Sequence, residues 1–89
     1  MPNRKIVIIN KLGLHARAAA KFVTLASRFA CDIRLHRNGR GVNGKSIMGV
    51  MMLAAAKDAE LVLSAEGEDA EEALACLEAL VADRFGEEE

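Results

Sequence analysis

A histidine and an arginine stand two residues apart, directly after a glycine, at the start of a predicted helix. The segment runs from Gly13 through His15 to Arg17. A helix start exposes unpaired backbone N–H groups and the positive end of the helix dipole, and both attract anions such as phosphate. That field also disfavours the imidazolium, which keeps His15 nucleophilic, while Arg17 can present a planar guanidinium to phosphate oxygens. The pattern suits phosphoryl transfer through His15, with Arg17 stabilising the phosphate.

The same residues also have a purely structural interpretation. His15 could simply cap the helix and Arg17 could be a surface charge, because a single His-x-Arg pair is a weak motif. No nearby residues have the spacing of a nucleotide-binding loop or of a metal site, so neither a cofactor nor a metal is expected.

A serine followed by an almost wholly apolar helix forms the second candidate site. Ser46 can accept a hydrogen bond from a free backbone N–H at the start of a helix predicted from Ile47 to about Ala56. The side chains predicted to face the sheet are Val50, Leu53 and Ala54. The side chains left exposed, which would form a Met-rich patch suited to docking, are Ile47, Met48 and Met51. The alternatives are that Ser46 is only a cap and that this helix is more fully buried.

The other histidine and the two cysteines are predicted to be structural. His36 lies on the polar side of a predicted strand, as a solvated surface residue with no second metal ligand nearby. Cys31 and Cys76 form no CxxC pattern, so both are predicted to be small, reduced, buried side chains.

Four short strands are predicted from apolar runs and alternation. The first spans Lys5 to Ile9, and the second, Cys31 to His36, alternates apolar and polar residues. Asn38 and Gly39 predict a hairpin turn, because both central positions of such a turn need positive φ. A short return strand follows from Arg40 to Asn43, and a last strand runs from Leu61 to Ala65.

Three helices complete the predicted fold. The first runs from Ala16 to about Phe29, and the third is capped by Asp69, with Glu72 in a capping-box arrangement, and ends at Gly86. The order βαββαβα predicts an α/β (α+β) open-faced sandwich, in which three helices cover one face of a four-stranded, largely antiparallel sheet. Residues 1–89 are predicted to form one domain, and residues 86–89 are predicted to form a frayed acidic C-terminal tail.

Composition narrows the function classes. The chain has 89 residues, of which 52% are hydrophobic, a formal net charge of −1 and three phenylalanines as its only aromatic residues. Nucleic-acid binders of this size are usually basic and offer aromatic rings to bases, so no nucleic-acid partner is expected. The N-terminal apolar run is too short for an export signal or a membrane span, which predicts a cytoplasmic protein.

A small RNA-binding or ligand-sensing regulatory module is the alternative class. Residues 41–44 have the GxxG spacing of a KH loop. KH loops join two helices, whereas this segment leaves a predicted strand, and the charge and aromatic content also disfavour RNA.

The chain resembles the HPr family of phosphocarrier proteins from the phosphoenolpyruvate-dependent phosphotransferase system. Residues 13–17 (GLHAR) match the active-site motif of that family, and residues 43–49 (NGKSIMG) match its regulatory serine motif. Residues 64–67 (SAEG) match the end of its last strand. The resemblance covers nearly the whole chain without an evident gap.

The resemblance implies specific roles. His15 would accept a phosphoryl group on Nδ1 from phosphorylated Enzyme I and pass it to an enzyme IIA domain, in sugar transport or regulation. Arg17 would neutralise the phosphate, and Ser46 would be modified by a serine kinase/phosphorylase. The implied docking residues are Leu14, Ala20, Ile47, Met48 and Met51. The family also implies a carrier rather than an enzyme, acting as a monomer away from membranes.

Two positions depart from the common family pattern. Ala18 stands where many members have proline, although alanine is also a good residue for a first helical turn. Leu12 stands where some sugar-transport members have asparagine. Residues 10–17 are similar to proteobacterial forms that act in regulation, including the nitrogen-related branch called NPr.

Overall fold

Four strands and three helices make up the computed structural model, which describes residues 2–53 and 55–88. In chain order the elements are β1 (Asn3–Val7), α1 (Ala16–Ala26), β2 (Asp32–Arg37), β3 (Arg40–Asn43), α2 (Ile47–Met52), β4 (Glu60–Glu66), α3 (Ala70–Ala82) and a C-terminal 3₁₀ turn (Arg84–Gly86). The predicted order βαββαβα is confirmed. Within the described residues, no helix is both long enough and apolar enough to cross a membrane.

The four strands form one antiparallel sheet in the order β1-β4-β2-β3. In β1 and β2, buried residues such as Ile6 and Ile33 alternate with exposed neighbours such as Lys5 and Arg34. The largest fully buried side chains come from both layers: Phe22, Ile33, Leu35, Val50, Leu61, Leu63, Leu74, Leu77 and Phe85. The helices therefore cover one face of the sheet, which confirms the predicted open-faced sandwich.

The hairpin between β2 and β3 has the predicted turn. Asn38 has φ 51° and Gly39 has φ 82°, so both central residues are left-handed. The turn sets the register in which Arg37 pairs with Arg40.

Two helices end earlier than their apolar pattern predicts. After Ala26, the last residue of α1, the N–H of Phe29 donates to a carbonyl only three residues back, so the chain tightens into a turn. After Met52, the last residue of α2, the Ala55 carbonyl accepts from Leu14 N at 2.8 Å instead of continuing the helix. That bond fixes the loop before α1. Ala54, which was predicted to face the sheet, lies outside the described residues.

The first strand begins and ends two residues earlier than predicted. Ile8 lies beyond β1, and its N–H donates to the Ala59 carbonyl at 3.0 Å, in the loop that precedes β4. Ile8 is nevertheless fully buried, because the alternation of buried side chains continues past the last residue of the strand.

The start of α3 is built differently from the predicted capping box. The Asp69 side chain makes no hydrogen bond to its own helix. Its two carboxylate oxygens accept instead from Ala30 N at 2.8 Å and Cys31 N at 3.0 Å, in the connection between α1 and β2. The predicted pairing of Asp69 with Glu72 as a capping box is therefore wrong, and the carboxylate joins two segments.

The chain reverses after α3, which ends at Ala82 rather than near Gly86. Arg84 and Phe85 both have positive φ, 56° and 55°, and the turn places the Phe85 ring in the core. Lys21 Nζ of α1 donates to the Phe85 carbonyl at 2.7 Å. These two anchors return the C-terminal residues to the start of α1.

Candidate functional site

The loop before α1 is held tightly against the segment that follows α2. Gly13 has φ 70°, and a Cβ there would lie 2.5 Å from the Ala55 carbonyl oxygen, so a side chain has no room. Asn10 fixes the same loop from the other side, because its Nδ2 donates to the Gly13 carbonyl at 2.9 Å. Glycine is thus required both by backbone conformation and by close approach, and the loop presents His15 in a defined position.

His15 is the N-cap of α1. Its backbone is extended, with φ −76° and ψ 178°, and its Nδ1 accepts from the N–H of Arg17 at 3.3 Å. Nδ1 therefore lies beside the free N–H groups of the first helical turn, where a negative group is favoured. The predicted position of His15 at a helix start is confirmed, and its role as a nucleophile stays a prediction.

Arg17 lies beside His15 with its side chain exposed. Within residues 2–53 and 55–88, its guanidinium has no hydrogen-bonding or ion-pairing partner, so the charge is available to an incoming anion. His15 and Arg17 share an open cleft, whose lining residues are Lys11, Leu12, His15, Ala16, Arg17, Glu87 and Glu88. The cleft brings the imidazole of His15 and the exposed guanidinium of Arg17 together, an arrangement that could serve phosphoryl transfer.

Glu87 joins this site, although the sequence analysis places it in a frayed tail. One carboxylate oxygen contacts His15 Nε2, and the other accepts from Asn10 Nδ2 at 2.9 Å. The hydrogen bond from Asn10 holds the pKa of the Glu87 carboxyl below its usual range, and His15 and Lys21 act in the same direction. The expectation for Glu87 is corrected: it is an ionised, half-buried neighbour of the histidine.

Ser46 is the N-cap of α2, as predicted. Its hydroxyl oxygen accepts from Gly49 N at 3.1 Å, and its backbone is extended with φ −117° and ψ 117°. The preceding residue, Lys45, donates from Nζ to the Phe29 carbonyl at 2.7 Å. The serine is half-buried rather than fully enclosed.

Exposed apolar side chains follow Ser46 along α2. Ile47, Met48 and Met51 are exposed, as predicted. Met48 is the most exposed, at 74%, whereas Val50 and Leu53 are buried as predicted. We call the exposed set the α2 patch, and its members are Ile47, Met48, Met51 and Met52. Met52, at 54% exposure, was missed in the sequence analysis because the apolar run gives no phase that separates it from its neighbours.

Two of the predicted docking residues are less accessible than the α2 patch. Leu14 is only 6% exposed and belongs to the core cluster, so its inclusion as a docking residue is corrected. The backbone of Leu14 is also held in place, because its N–H donates to the Ala55 carbonyl at 2.8 Å. Ala20 is half-buried on α1.

The remaining chemically versatile residues lie away from the cleft. His36 is half-buried rather than fully solvated, with Nε2 at 3.3 Å from Ser64 Oγ. Cys31 is buried and Cys76 half-buried, and both are free thiols. Gly41 lies within β3 opposite His36, so the GxxG spacing is part of a hairpin and gives no loop between helices.

The comparison with protein families gives one result over almost the whole chain. Residues 2–83 match the family model described as "PTS HPr component phosphorylation site". Among curated relatives, the phosphocarrier protein HPr of Pseudomonas aeruginosa is 58% identical and that of Cupriavidus necator is 54% identical, each match covering 100% of both chains. These relatives carry the name HPr rather than that of the nitrogen-related branch.

Solved structures agree with the family match. An HPr from Thermoanaerobacter tengcongensis superimposes with a TM-score of 0.96 at 47% identity and covers 100% of both chains. An HPr dimer from the same organism gives a TM-score of 0.79 at 47% identity, covering 98% of this chain and 100% of the other. The sequence match, the fold and the cleft around His15 lead to one conclusion: the chain belongs to the HPr phosphocarrier family of the phosphotransferase system.

Proposed function

We propose that this protein is a cytoplasmic, monomeric phosphocarrier that accepts a phosphoryl group on Nδ1 of His15 from phosphorylated Enzyme I and passes it to an enzyme IIA domain. The observation that carries the proposal is the placement of His15 Nδ1 at the start of α1, within reach of the Arg17 N–H. A phosphoryl group on that nitrogen would meet backbone N–H groups and the positive end of the helix dipole.

Arg17 supplies the counter-charge in this proposal. Its exposed guanidinium borders the same cleft and can form two parallel hydrogen bonds with phosphate oxygens. Lys11 adds a second positive group at the rim. These two cations and the helix start would together stabilise a dianionic group on His15.

The α2 patch is the proposed docking surface for the donor and acceptor proteins. Its methionines are flexible and polarisable, which suits contact with more than one partner. Ser46 lies directly before the patch, and a serine kinase/phosphorylase acting there would add about −1.5 to −2 charges at the edge of the docking surface. Regulation would act by weakening docking, while His15 itself is unchanged.

The test is phosphorylation of the purified protein with Enzyme I, Mg²⁺ and phosphoenolpyruvate, followed by phosphorus NMR. We expect one acid-labile, base-stable phosphoryl group in the wild type and none in His15→Ala. The matched control is His36→Ala, because the chain has two histidines and the proposal assigns the chemistry to one of them. Full labelling of His15→Ala, or loss of labelling in His36→Ala with an intact fold, would contradict the assignment.

A further inference from the structure

The C-terminal segment places a carboxylate on the edge of the His15 ring opposite the nucleophilic nitrogen. Glu87 Oε2 contacts Nε2 of His15, while Glu87 Oε1 accepts from Asn10 Nδ2. Asn10 is itself fully buried and bonded to the Gly13 carbonyl, so the carboxylate is oriented by a rigid group. The Glu87 side chain is only 15% exposed, which distinguishes it from an ordinary surface ion pair.

We propose that Glu87 is a positioning residue for phosphoryl transfer, holding His15 in the tautomer that keeps its proton on Nε2 and leaves the Nδ1 lone pair free. This inference rests on the proposed role of His15 as the phosphoryl acceptor. An ionised carboxylate only accepts hydrogen bonds, so Nε2 must donate to Glu87. On the other side, Nδ1 accepts from the N–H of Arg17 and must be unprotonated. Both contacts select the same tautomer.

The contact also answers a charge requirement of the transfer step. The Nδ1 lone pair forms the new bond to phosphorus as the bond between phosphorus and the donor atom breaks, and that electron pair leaves with the donor. The ring still holds its Nε2 proton, so it acquires one positive charge. The Glu87 carboxylate neutralises this charge, as a buried carboxylate does for a histidine base in hydrolases.

The fold does not depend on the Glu87 contact. Phe85 fills the core and Lys21 holds its carbonyl, so the C-terminal segment is anchored before residue 87 is reached. Lys11, Arg17 and Glu88 also line the cleft, but among the described residues the carboxylate that contacts His15 Nε2 is that of Glu87. Substitution of Glu87 should therefore change the histidine without unfolding the protein.

Glu87→Gln is the sharpest variant because it keeps the shape and removes the charge. A carboxylate accepts from both His15 Nε2 and Asn10 Nδ2, whereas an amide directs its NH₂ at one of these two donors. Glu87→Asp is the conservative variant, which retains the charge on a shorter side chain. Asp83→Asn is the control, because it removes one negative charge from the same segment at an exposed position.

Two measurements test the proposal. Nitrogen-15 NMR of the unphosphorylated protein above neutral pH reports the His15 tautomer, and rapid-quench assays with Enzyme I report the transfer rate. We expect Glu87→Gln to lose part of the Nε2–H population and to transfer about tenfold more slowly, as loss of one charge-assisted hydrogen bond implies. Glu87→Asp should recover part of the rate, and Asp83→Asn should match the wild type.

An unchanged tautomer or an unchanged rate in Glu87→Gln overturns the proposal, and so does an equal loss in Asp83→Asn. The NMR measurement needs no phosphoryl donor, so it tests the role of the Glu87 contact independently of the carrier function. A tautomer shift in Glu87→Gln, combined with a wild-type protein that takes no phosphate, would refute the carrier function and leave the Glu87 contact established.

Discussion

The starts of α1 and α2 share one backbone design and differ in what surrounds it. Each N-cap residue is extended, and each uses a side-chain atom to accept from an N–H of the first helical turn, at 3.3 Å for His15 and 3.1 Å for Ser46. Capping alone therefore does not separate a nucleophile from a structural hydroxyl. The distinction lies in the neighbouring groups.

The residues around the two helix starts differ in charge and in the hydrogen bonds that their charged groups make. Beside His15 stand the exposed guanidinium of Arg17 and the ionised carboxylate of Glu87. Beside Ser46, the nearest cation in the chain, Lys45, is bonded to the Phe29 carbonyl, and the residues that follow are apolar. These neighbours favour the proposed chemistry on an anion at the α1 start and the proposed contact with another surface at the α2 start.

The largest effect should come from removing the exposed guanidinium of Arg17 beside His15. Arg17→Ala should slow phosphoryl transfer by about ten- to a hundredfold, because a charge-assisted contact with the phosphate is lost. Arg17→Lys should recover part of the rate, since an ammonium cannot present two parallel donors. Rapid-quench transfer assays with Enzyme I measure both.

Arg28→Ala is the matched control for Arg17. Arg28 is also exposed and lies just beyond the end of α1, so its loss changes the net charge equally. Transfer at the wild-type rate in Arg17→Ala, or an equal loss in Arg28→Ala, would remove the contrast between the two helix starts.

A smaller effect should follow when a negative charge is placed at the α2 start. Ser46→Asp keeps a capping side chain, so the melting temperature should stay nearly unchanged. Transfer from Enzyme I should slow by about fivefold, which corresponds to a surface electrostatic effect near 1 kcal/mol. Thermal unfolding and transfer kinetics on the same sample check both expectations.

Ser46→Ala reverses the expected pattern and serves as the paired variant. Without the hydroxyl, the Gly49 N–H loses its partner and the free energy of unfolding should fall by about 1 kcal/mol, with normal transfer. If Ser46→Asp transfers at the wild-type rate, Ser46 is only a cap and the regulatory role is wrong.

Most of the fold could be predicted from residue patterns within single strands and helices. Alternation in β2 and β4, the two positive-φ positions at Asn38 and Gly39, and the order of elements were enough to predict the open-faced sandwich. Helix ends were less accurate, because α1 and α2 end where backbone groups bond to other segments. Such bonds depend on tertiary contacts that no local pattern contains.

The candidate site likewise contains residues that local sequence predicts and one residue whose position depends on tertiary contacts. The positions of His15, Arg17 and Ser46 at or beside helix starts could be predicted from local sequence, and their roles stay predictions. Glu87 could not, since it reaches His15 from 72 positions away along the chain. Its approach depends on the left-handed residues before it and on the Phe85 ring in the core. A Glu-rich C-terminal segment is typical of a solvated tail, so its sequence does not indicate the contact between Glu87 and His15.

The start of α3 differs from the other two helix starts, and a substitution there should have the smallest effect. Asp69 is placed as a cap, yet its carboxylate accepts from Ala30 N and Cys31 N instead. The Ala30 N–H, with Cys31, holds the pKa of the Asp69 carboxyl below its usual range. A carboxyl with a lowered pKa in the folded state stabilises the protein at neutral pH, and that contribution is lost as the pH falls below about 4.

Asp69→Asn should therefore unfold at a slightly lower temperature than the wild type at pH 7, and the difference should shrink on acidification. Thermal unfolding from neutral to acidic pH measures it, with Asp58→Asn as an exposed control whose difference from the wild type should stay small throughout. A gap between Asp69→Asn and the wild type that stays constant or widens in acid would show that the ionised carboxylate is not what joins α3 to the connection before β2.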